Sequence, residues 1–368
     1  MNKPIAYKAE RIFTGTEMLR HQAIIVQDET INQVVAASSL TTDIEIKDFE
    51  NSLLAPAFID LQIYGAHKRL LAAYPDAKTV EAIYDYSKSA GTAWCMPTVA
   101  TNTYEVIFRC IDAIKEYIAK GGKGILGLHV EGPWISKEKR GAHNPEWISV
   151  PSIEKAKALL EYGKGIIKMI TLAPEVCDEE VIKLIQSYNI IVSAGHSNAT
   201  YQEAITAFNN EIFVATHLYN AMSPLHHREP GMVGAIFSNP TVYCSIVPDG
   251  HHVDYSAISI AKKIMGERLF AITDAVTETN HGYYRHYFEE DKYTCNGILS
   301  GSALTMHKAF KNLVHHCNTE LEEALRMCSL YPASVLNIQH KMGMIKENYR
   351  AEMIVLNNEL QLIQTINF

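Results

Sequence analysis

GILGLHVEG, residues 124–132, is a short apolar run that ends on a carboxylate and a Gly-Pro step, Gly132-Pro133. A run this short, with no polar alternation, reads as a strand buried on both faces of a parallel sheet. Seven more runs of the same texture lie on either side of it. AFIDLQI (57–63) and GTAWCMPTV (91–99) precede it, and IIKMITLAP (166–174), NIIVSAGHS (189–197), IFVATHLYN (212–220), TVYCSIVPD (241–249) and RLFAITDAV (268–276) follow. Amphipathic stretches separate several of them, such as AKTVEAIYDYSKSA (77–90), TYEVIFRCIDAIKEYIAK (103–120) and DEEVIKLIQSYN (178–189). The connection 221–240 shows no clear period. Eight such units in about 220 residues fit an α/β fold of the (β/α)8 TIM barrel type better than an open sheet.

The two ends of the chain have a different texture. IAYKAERIF (5–13), QAIIVQD (22–28) and INQVVAA (31–37) are β-rich, as are YRAEMIVLNN (349–358) and ELQLIQTINF (359–368). A lone terminal hairpin is marginal, so the ends are expected to pack together as a small β-sandwich of residues 1–54 and 341–368, around a barrel of 55–340. Two helices are expected near 303–317 and 319–330, the second opened by a capping box of Thr319 and Glu322. Gly121 to Gly124 precede a strand, so they read as a turn and not as a phosphate-cradling loop.

Lys and Arg number 33 against 41 Asp and Glu, a net charge of -8 over 368 residues, with no long basic run. A generic nucleic-acid binder is excluded on that ground, and an anionic ligand requires a local basic pocket. Seven scattered cysteines without a C-x-x-C pair point to reduced thiols in a cytoplasmic protein. The N-terminus carries no apolar signal region. The longest uncharged run, Gly231 to Pro248, is broken by Asn239 and two prolines, so no membrane helix is expected.

Barrel enzymes place their chemistry at the C-terminal ends of strands. Those ends here read Gln62, Thr98, Glu131, His196, His217, His251/His252 and Asp274. One carboxylate and two imidazoles, Glu131, His196 and His217, suffice for a three-ligand metal site, leaving Asp274 to move a proton. The plainer alternatives are core or capping histidines, a Glu131 salt bridge to Arg140 or Lys137, and an Asp274 helix cap. His129 shares a strand face with Glu131 and is left outside the site. Arg228, in the loop NAMSPLHHREPG (220–231), is a candidate anion clamp, with an Arg228–Glu229 surface pair as the alternative.

The motifs HVEGP (129–133), GAHNP (141–145), AGHSNAT (194–200), THLYNAM (216–222), HREPG (227–231), DGHHV (249–253), ITDA (272–275) and SGSALTM (300–306) together resemble the N-acetylglucosamine-6-phosphate deacetylase family of the amidohydrolase superfamily. The resemblance runs nearly end to end. It implies a barrel with a small β-sandwich from both termini, and hydrolysis of the acetamide of N-acetylglucosamine 6-phosphate. By matching motif it implies Glu131, His196 and His217 as metal ligands and Asp274 as acid/base. His143 is implied as a donor to the oxyanion, with Ala142 and His143 beside the N-acetyl group. Asn220, Ala221, Arg228 and Asp249, Gly250, His251, His252 are implied to contact the sugar phosphate, and Leu304, Thr305, Met306 to close over it. Arg228 is implied to reach into a partner subunit's site, hence a homodimer. Where two-metal relatives carry H-x-H, this chain has Gln62-Ile63-Tyr64, so a single divalent metal per subunit is expected, zinc ahead of Fe(II), Mn or Co. The alternatives are deacetylation of another N-acetylhexosamine 6-phosphate, or a non-catalytic sugar-phosphate binding protein.

Overall fold

A computed structural model of the chain describes residues 3–367. Eight strands, β1 to β8 in chain order, form the central sheet: Phe58–Ile63, Thr92–Ala100, Leu128–Glu131, Ile167–Leu172, Ile191–Ala194, Val214–Ala215, Tyr243–Ile246 and Leu269–Ala271. Neighbours in sequence are neighbours in the sheet, and the pairs are parallel; His129 faces Thr98 on one side and Met169 on the other. The sheet closes where Ile63 and Ala275 form a parallel bridge, with the Tyr64 N–H donating to the Ala275 carbonyl at 2.8 Å. The result is the expected (β/α)8 barrel. Every residue of β1 and β3 is buried, which is why these runs show no polar alternation.

The inside of the barrel is partly polar. His129 Nε2 lies 2.7 Å from the Thr171 hydroxyl, which lies 2.8 Å from that of Thr216, and Ser193 reaches Thr216 at 2.6 Å. Burial pushes the His129 imidazole down to about 4, so it stays neutral and serves the core.

Helices pack as the periodicity requires. Helix α1 spans Ala77–Ser89, and α2, Tyr104–Ala119, buries Ile107, Cys110, Ile111 and Ile114 at helical spacing behind an N-cap from Thr103. Each such aliphatic burial contributes about 1.5–3 kcal/mol relative to exposure. The unreadable segment 221–240 holds a helix, Gly231–Ser238, whose first six residues are all buried. A helix apolar all round leaves no amphipathic signal.

By internal packing the chain forms two compact units, one of Leu61–Tyr86 and Cys95–Thr305, the other of Met1–Asp60, Ser87–Trp94 and Met306–Phe368. The second unit carries a seven-stranded sheet built from both chain ends. Ile5–Phe13 runs antiparallel to Met18–Arg20 and Gln22–Gln27 and parallel to Glu45–Pro56, which pairs with Met353–Asn357. Tyr7, Ile12, Ile24, Leu54, Met353 and Val355 share its core. The capping box at Thr319 does not form. Helix Leu321–Cys328 takes Glu320 as its N-cap, with no side-chain cap bond, and the buried Thr319 hydroxyl has no partner. Glu322 therefore sits at the second helical position, one short of where it would reach back. All seven cysteines are thiols outside any disulfide, six of them buried. No helix among the described residues is long and apolar enough to cross a membrane.

Candidate active site

Four strand ends converge. Glu131 ends β3, His196 and His217 follow β5 and β6 by two residues, and Asp274 follows β8 by three. Glycines clear the approach: a Cβ on Gly132 would lie 2.1 Å from the Thr101 hydroxyl, and one on Gly195 would lie 2.9 Å from Thr216 Cβ. His196, His217 and Asp274 hold φ of +48°, +40° and +54°, the left-handed region that side chains other than glycine rarely adopt. Their surroundings fix them there. The Asp274 N–H donates to the Gln62 carbonyl at 2.9 Å, the His217 N–H to the Ser245 hydroxyl at 2.8 Å, and the His196 carbonyl accepts from Ser136 N–H at 2.9 Å. Strain maintained in this way clusters at functional sites.

The side chains meet at one point. His217 Nε2 is 3.1 Å from both Glu131 Oε1 and His196 Nε2, and His196 Nε2 is 3.4 Å from Glu131 Oε1. His143 Nε2 lies 3.1 Å from Glu131 Oε2. Glu131 pairs with these imidazoles, not with Arg140, which bonds the carbonyls of Gly141 and His143. Burial pushes the Glu131 carboxyl up, but the surrounding imidazoles outweigh it and hold it well below the usual carboxylate range. Burial raises Asp274, opposed by His217 and reinforced by Glu131. Burial, then the neighbouring His196, pushes His143 down to about 4.

The donor set fits a divalent cation. His196 Nδ1 is 2.8 Å from the Lys139 carbonyl, which can only accept, so that nitrogen carries the ring proton. His196 Nε2 then faces the Glu131 carboxylate, where it can carry a proton or, as a lone pair, ligate a metal ion shared with the carboxylate. Ligand atoms of Glu131, His143 and His196 all lie within 4.8 Å of one another. The buried Nδ1 of His217 has no hydrogen-bond partner, so nothing competes for its orientation except the cluster. His143 is held by the Thr101 hydroxyl, 2.7 Å from its Nδ1, and that hydroxyl in turn lies 3.3 Å from the Glu131 carbonyl.

Gln62 and Tyr64 occupy the far side of the cluster as donors. Gln62 Nε2 reaches Asp274 Oδ1 at 2.8 Å, Glu131 Oε1 at 3.0 Å and the Tyr64 oxygen at 2.7 Å. The Tyr64 hydroxyl donates to Glu131 Oε2. Asp274 thus answers to Gln62 across the barrel closure and caps no helix.

A cavity of about 190 Å³ opens on the cluster, and Ala142, His143, Asn220, Ala221 and His252 line it beside the four strand-end residues. Asp249 stands behind His252, accepting its Nδ1–H at 2.6 Å and the backbone N–H groups of His251 and His252 at 2.9 and 2.7 Å. Burial raises the Asp249 carboxyl, and these donors more than reverse it. Gly250, His251 and Arg228 are exposed. Leu304 and Met306 are buried, and neither they nor Thr305 line the cavity. The sequence reading missed Tyr284 and His286, which do line it. His286 opens an antiparallel three-stranded sheet, His286–Glu289, Lys292–Cys295 and Ile298–Ser302, and lies 3.1 Å from the Ser300 hydroxyl. The run Tyr283-Tyr284-Arg285-His286, just beyond the eighth strand, was the available signal.

A closed parallel barrel with a carboxylate and imidazoles at its strand ends is the architecture of a metal-dependent hydrolase, and the amidohydrolase family model matches residues 53–367, with the NagA composite domain matching 9–54. The chain belongs to the N-acetylglucosamine-6-phosphate deacetylase family of amidohydrolases. It is 35% identical over 366 residues to the N-acetylglucosamine-6-phosphate deacetylase of Haemophilus influenzae, covering 96% of each chain. It is 31% identical over 369 residues to an N-acetylgalactosamine-6-phosphate deacetylase of Escherichia coli, covering 97% of this chain and 96% of that one. The solved structure of N-acetylglucosamine-6-phosphate deacetylase from Pasteurella multocida superposes with a TM-score of 0.94 at 33% identity, over 99% of this chain and 98% of that one.

Proposed function

We propose that the chain hydrolyses the acetamide of N-acetylglucosamine 6-phosphate to acetate and glucosamine 6-phosphate, as a cytoplasmic enzyme of amino-sugar catabolism. The convergence of Glu131, His196 and His217 with Asp274 beside them carries this reading, and the activity of the relatives supplies the substrate.

Glu131, His196 and His217 would hold one divalent metal, zinc ahead of Fe(II), Mn or Co, because Gln62 and Tyr64 face the carboxylates as donors and neither is a good replacement for imidazole at a second site. When bound, the metal supplies Lewis acidity, which makes water a competent nucleophile near neutral pH. Asp274 accepts the proton of the attacking water and later delivers it to the sugar nitrogen, since an amide anion is too poor a leaving group. Gln62 fixes Asp274 Oδ1, so the other carboxylate oxygen is the one that moves the proton. His143 donates from Nε2 to the carbonyl oxygen as charge develops, and its ring is oriented for this by Thr101. Ala142 borders the N-acetyl group. Asn220, Ala221 and the 249–252 turn take the sugar-phosphate side, with His251 exposed at its edge and the Asp249–His252 pair behind. The exposed Arg228 clamps the phosphate across a homodimer, and the segment leading to Leu304 meets the substrate through Ser300 and Gly301, which line the cavity. Binding energy at the phosphate, remote from the amide, fixes the amide's orientation.

Acetate release from the two N-acetylhexosamine 6-phosphates, measured with elemental analysis of gently purified protein, tests the proposal. Turnover of the glucosamine compound with about one metal per chain is expected. No acetate from either sugar after metal is restored would sink it.

A further inference from the structure

The catalytic cavity has a neighbour. A second cavity, of about 300 Å³, shares Leu70, Ala72 and Tyr284 with it. Its remaining apolar walls are Ala73, Val106, Trp147 and Tyr283, and Asn102, Thr103 and His281 supply its polar rim.

Ring contacts place this space relative to the chemistry. The His143 ring is centred 4.3 Å from that of His196 and 6.3 Å from that of Tyr284. Trp147 lies 6.3 Å beyond Tyr284 and 5.3 Å from Tyr283. The second cavity therefore lies on the His143 side of the cluster, with Leu70, Ala72 and Tyr284 between it and the first. Asn220, Ala221 and His252 line only the first cavity.

A scissile amide has two arms at its carbonyl carbon, the nitrogen with its sugar and the acyl chain. With the sugar phosphate toward Asn220 and His252, the acyl arm points to Leu70 and Tyr284. The surface common to the two cavities suits hydrocarbon. Leu70 and Ala72 carry no polar side-chain atoms, and the Tyr284 hydroxyl is committed to the Thr101 carbonyl at 2.5 Å. Leu70, Val276, Tyr284 and Cys295 form one apolar cluster, with Ala73, Ala142 and Trp147 packed against it. An acetyl methyl needs only the near edge of such a wall.

We propose that this enzyme also removes N-acyl groups longer than acetyl from glucosamine 6-phosphate, the acyl chain extending past Leu70 and Tyr284 into the cavity walled by Trp147 and Tyr283. The proposal rests on the deacetylase reading above and uses the same step. Water adds to the acyl carbon, the C–N bond breaks, and both water protons end on the amine, so that an ammonium group and a fatty carboxylate leave in place of acetate. Each methylene buried against the apolar wall contributes about fourfold to kcat/KM.

Amine release from N-acetyl-, N-butyryl- and N-hexanoyl-glucosamine 6-phosphate by the metal-loaded enzyme tests this. The N-butyryl compound is expected to match or exceed the N-acetyl compound in kcat/KM. Ala73→Phe fills the second cavity from a position that does not line the first. It should cut the hexanoyl rate at least tenfold and leave the acetyl rate unchanged, which also shows that the variant folds. Should Ala73→Phe lose all activity, Val106→Trp makes the same test from helix α2. Acetyl turnover with no butyryl or hexanoyl turnover overturns the inference and leaves the deacetylase reading intact. Equal loss on all three substrates in a folded variant overturns it as well. Failure of the wild type on every substrate removes the deacetylase reading itself.

Discussion

Tyr64→Phe deletes one oxygen from the middle of the hydrogen-bond network around Glu131. That hydroxyl donates to Glu131 Oε2 and accepts from Gln62 Nε2 at 2.7 Å. After its loss Gln62 still has Glu131 Oε1 at 3.0 Å and Asp274 Oδ1 at 2.8 Å, and Glu131 Oε2 still has His143 Nε2 at 3.1 Å. No charge is left buried without a partner, so the heavy penalty for breaking a buried ion pair does not apply. What remains is one hydrogen bond to a charged group, about 1.5–3 kcal/mol. The phenylalanine ring keeps its place in the cluster of Leu70, Val276, Tyr284 and Cys295, so the barrel should hold. The loss falls on the orientation of Glu131 and converts to about 10- to 150-fold in metal affinity, the usual worth of a group that positions a ligand. Competition against a fluorescent chelator reads it directly, with near-UV circular dichroism as the check on folding. Stoichiometry should stay near one. A metal affinity within twofold of wild type would refute the idea that Tyr64 holds Glu131 in place.

Asp274→Asn can still offer Oδ1 to Gln62, so metal content should survive while turnover falls by about two to four orders of magnitude; metal loss measured alongside would make Asp274 a ligand instead. Arg228→Ala should raise KM for the phosphorylated substrate by about 10- to 150-fold, equivalent to one charged hydrogen bond, and barely affect unphosphorylated N-acetylglucosamine. Equal effects on both would make the residue structural. Burial pushes His286 down to about 4 from its ordinary 6.5, so the folded state keeps it neutral where the unfolded chain takes up a proton. That contribution is complete above pH 6.5 and drains away as pH falls toward 4, by at most about 1.4 kcal/mol per unit. Urea unfolding at pH 7, 6 and 5 should show a shallower decline for His286→Gln than for wild type; parallel declines would place the effect elsewhere.

The barrel and its principal site were legible because parallel strands buried on both faces are nearly all apolar, so a polar residue at the end of such a run stands out. Glu131, His196, His217 and Asp274 were visible in this way. His143 was not: it sits in a loop twelve residues past Glu131, where no period marks it, and only the GAHNP motif pointed to it. Gln62 and Tyr64 were legible as poor metal ligands, but their hydrogen bonds to Glu131 and Asp274 depend on barrel closure between the first and eighth strands. The same holds for Tyr284 and His286, whose segment reaches the cavity through pairings set by the fold and not by local pattern. The strand Glu45–Pro56 begins with four exposed residues, Glu45 to Asp48, and is buried only from Ser52, so its first half carries no core signal. Thr319 shows the opposite error, a good local signature displaced by one residue when the helix starts late.

The left-handed backbone at His196, His217 and Asp274 sets a limit on how this barrel can be hardened. A side chain in that region costs on the order of 1 kcal/mol relative to glycine, so glycine at any of the three would relax the strand end. Variants selected for heat resistance alone would be drawn to these positions, and each gain would erase one group of the site. Durable improvement has to come from places such as the terminal sheet, and any selection on this scaffold must demand turnover together with survival.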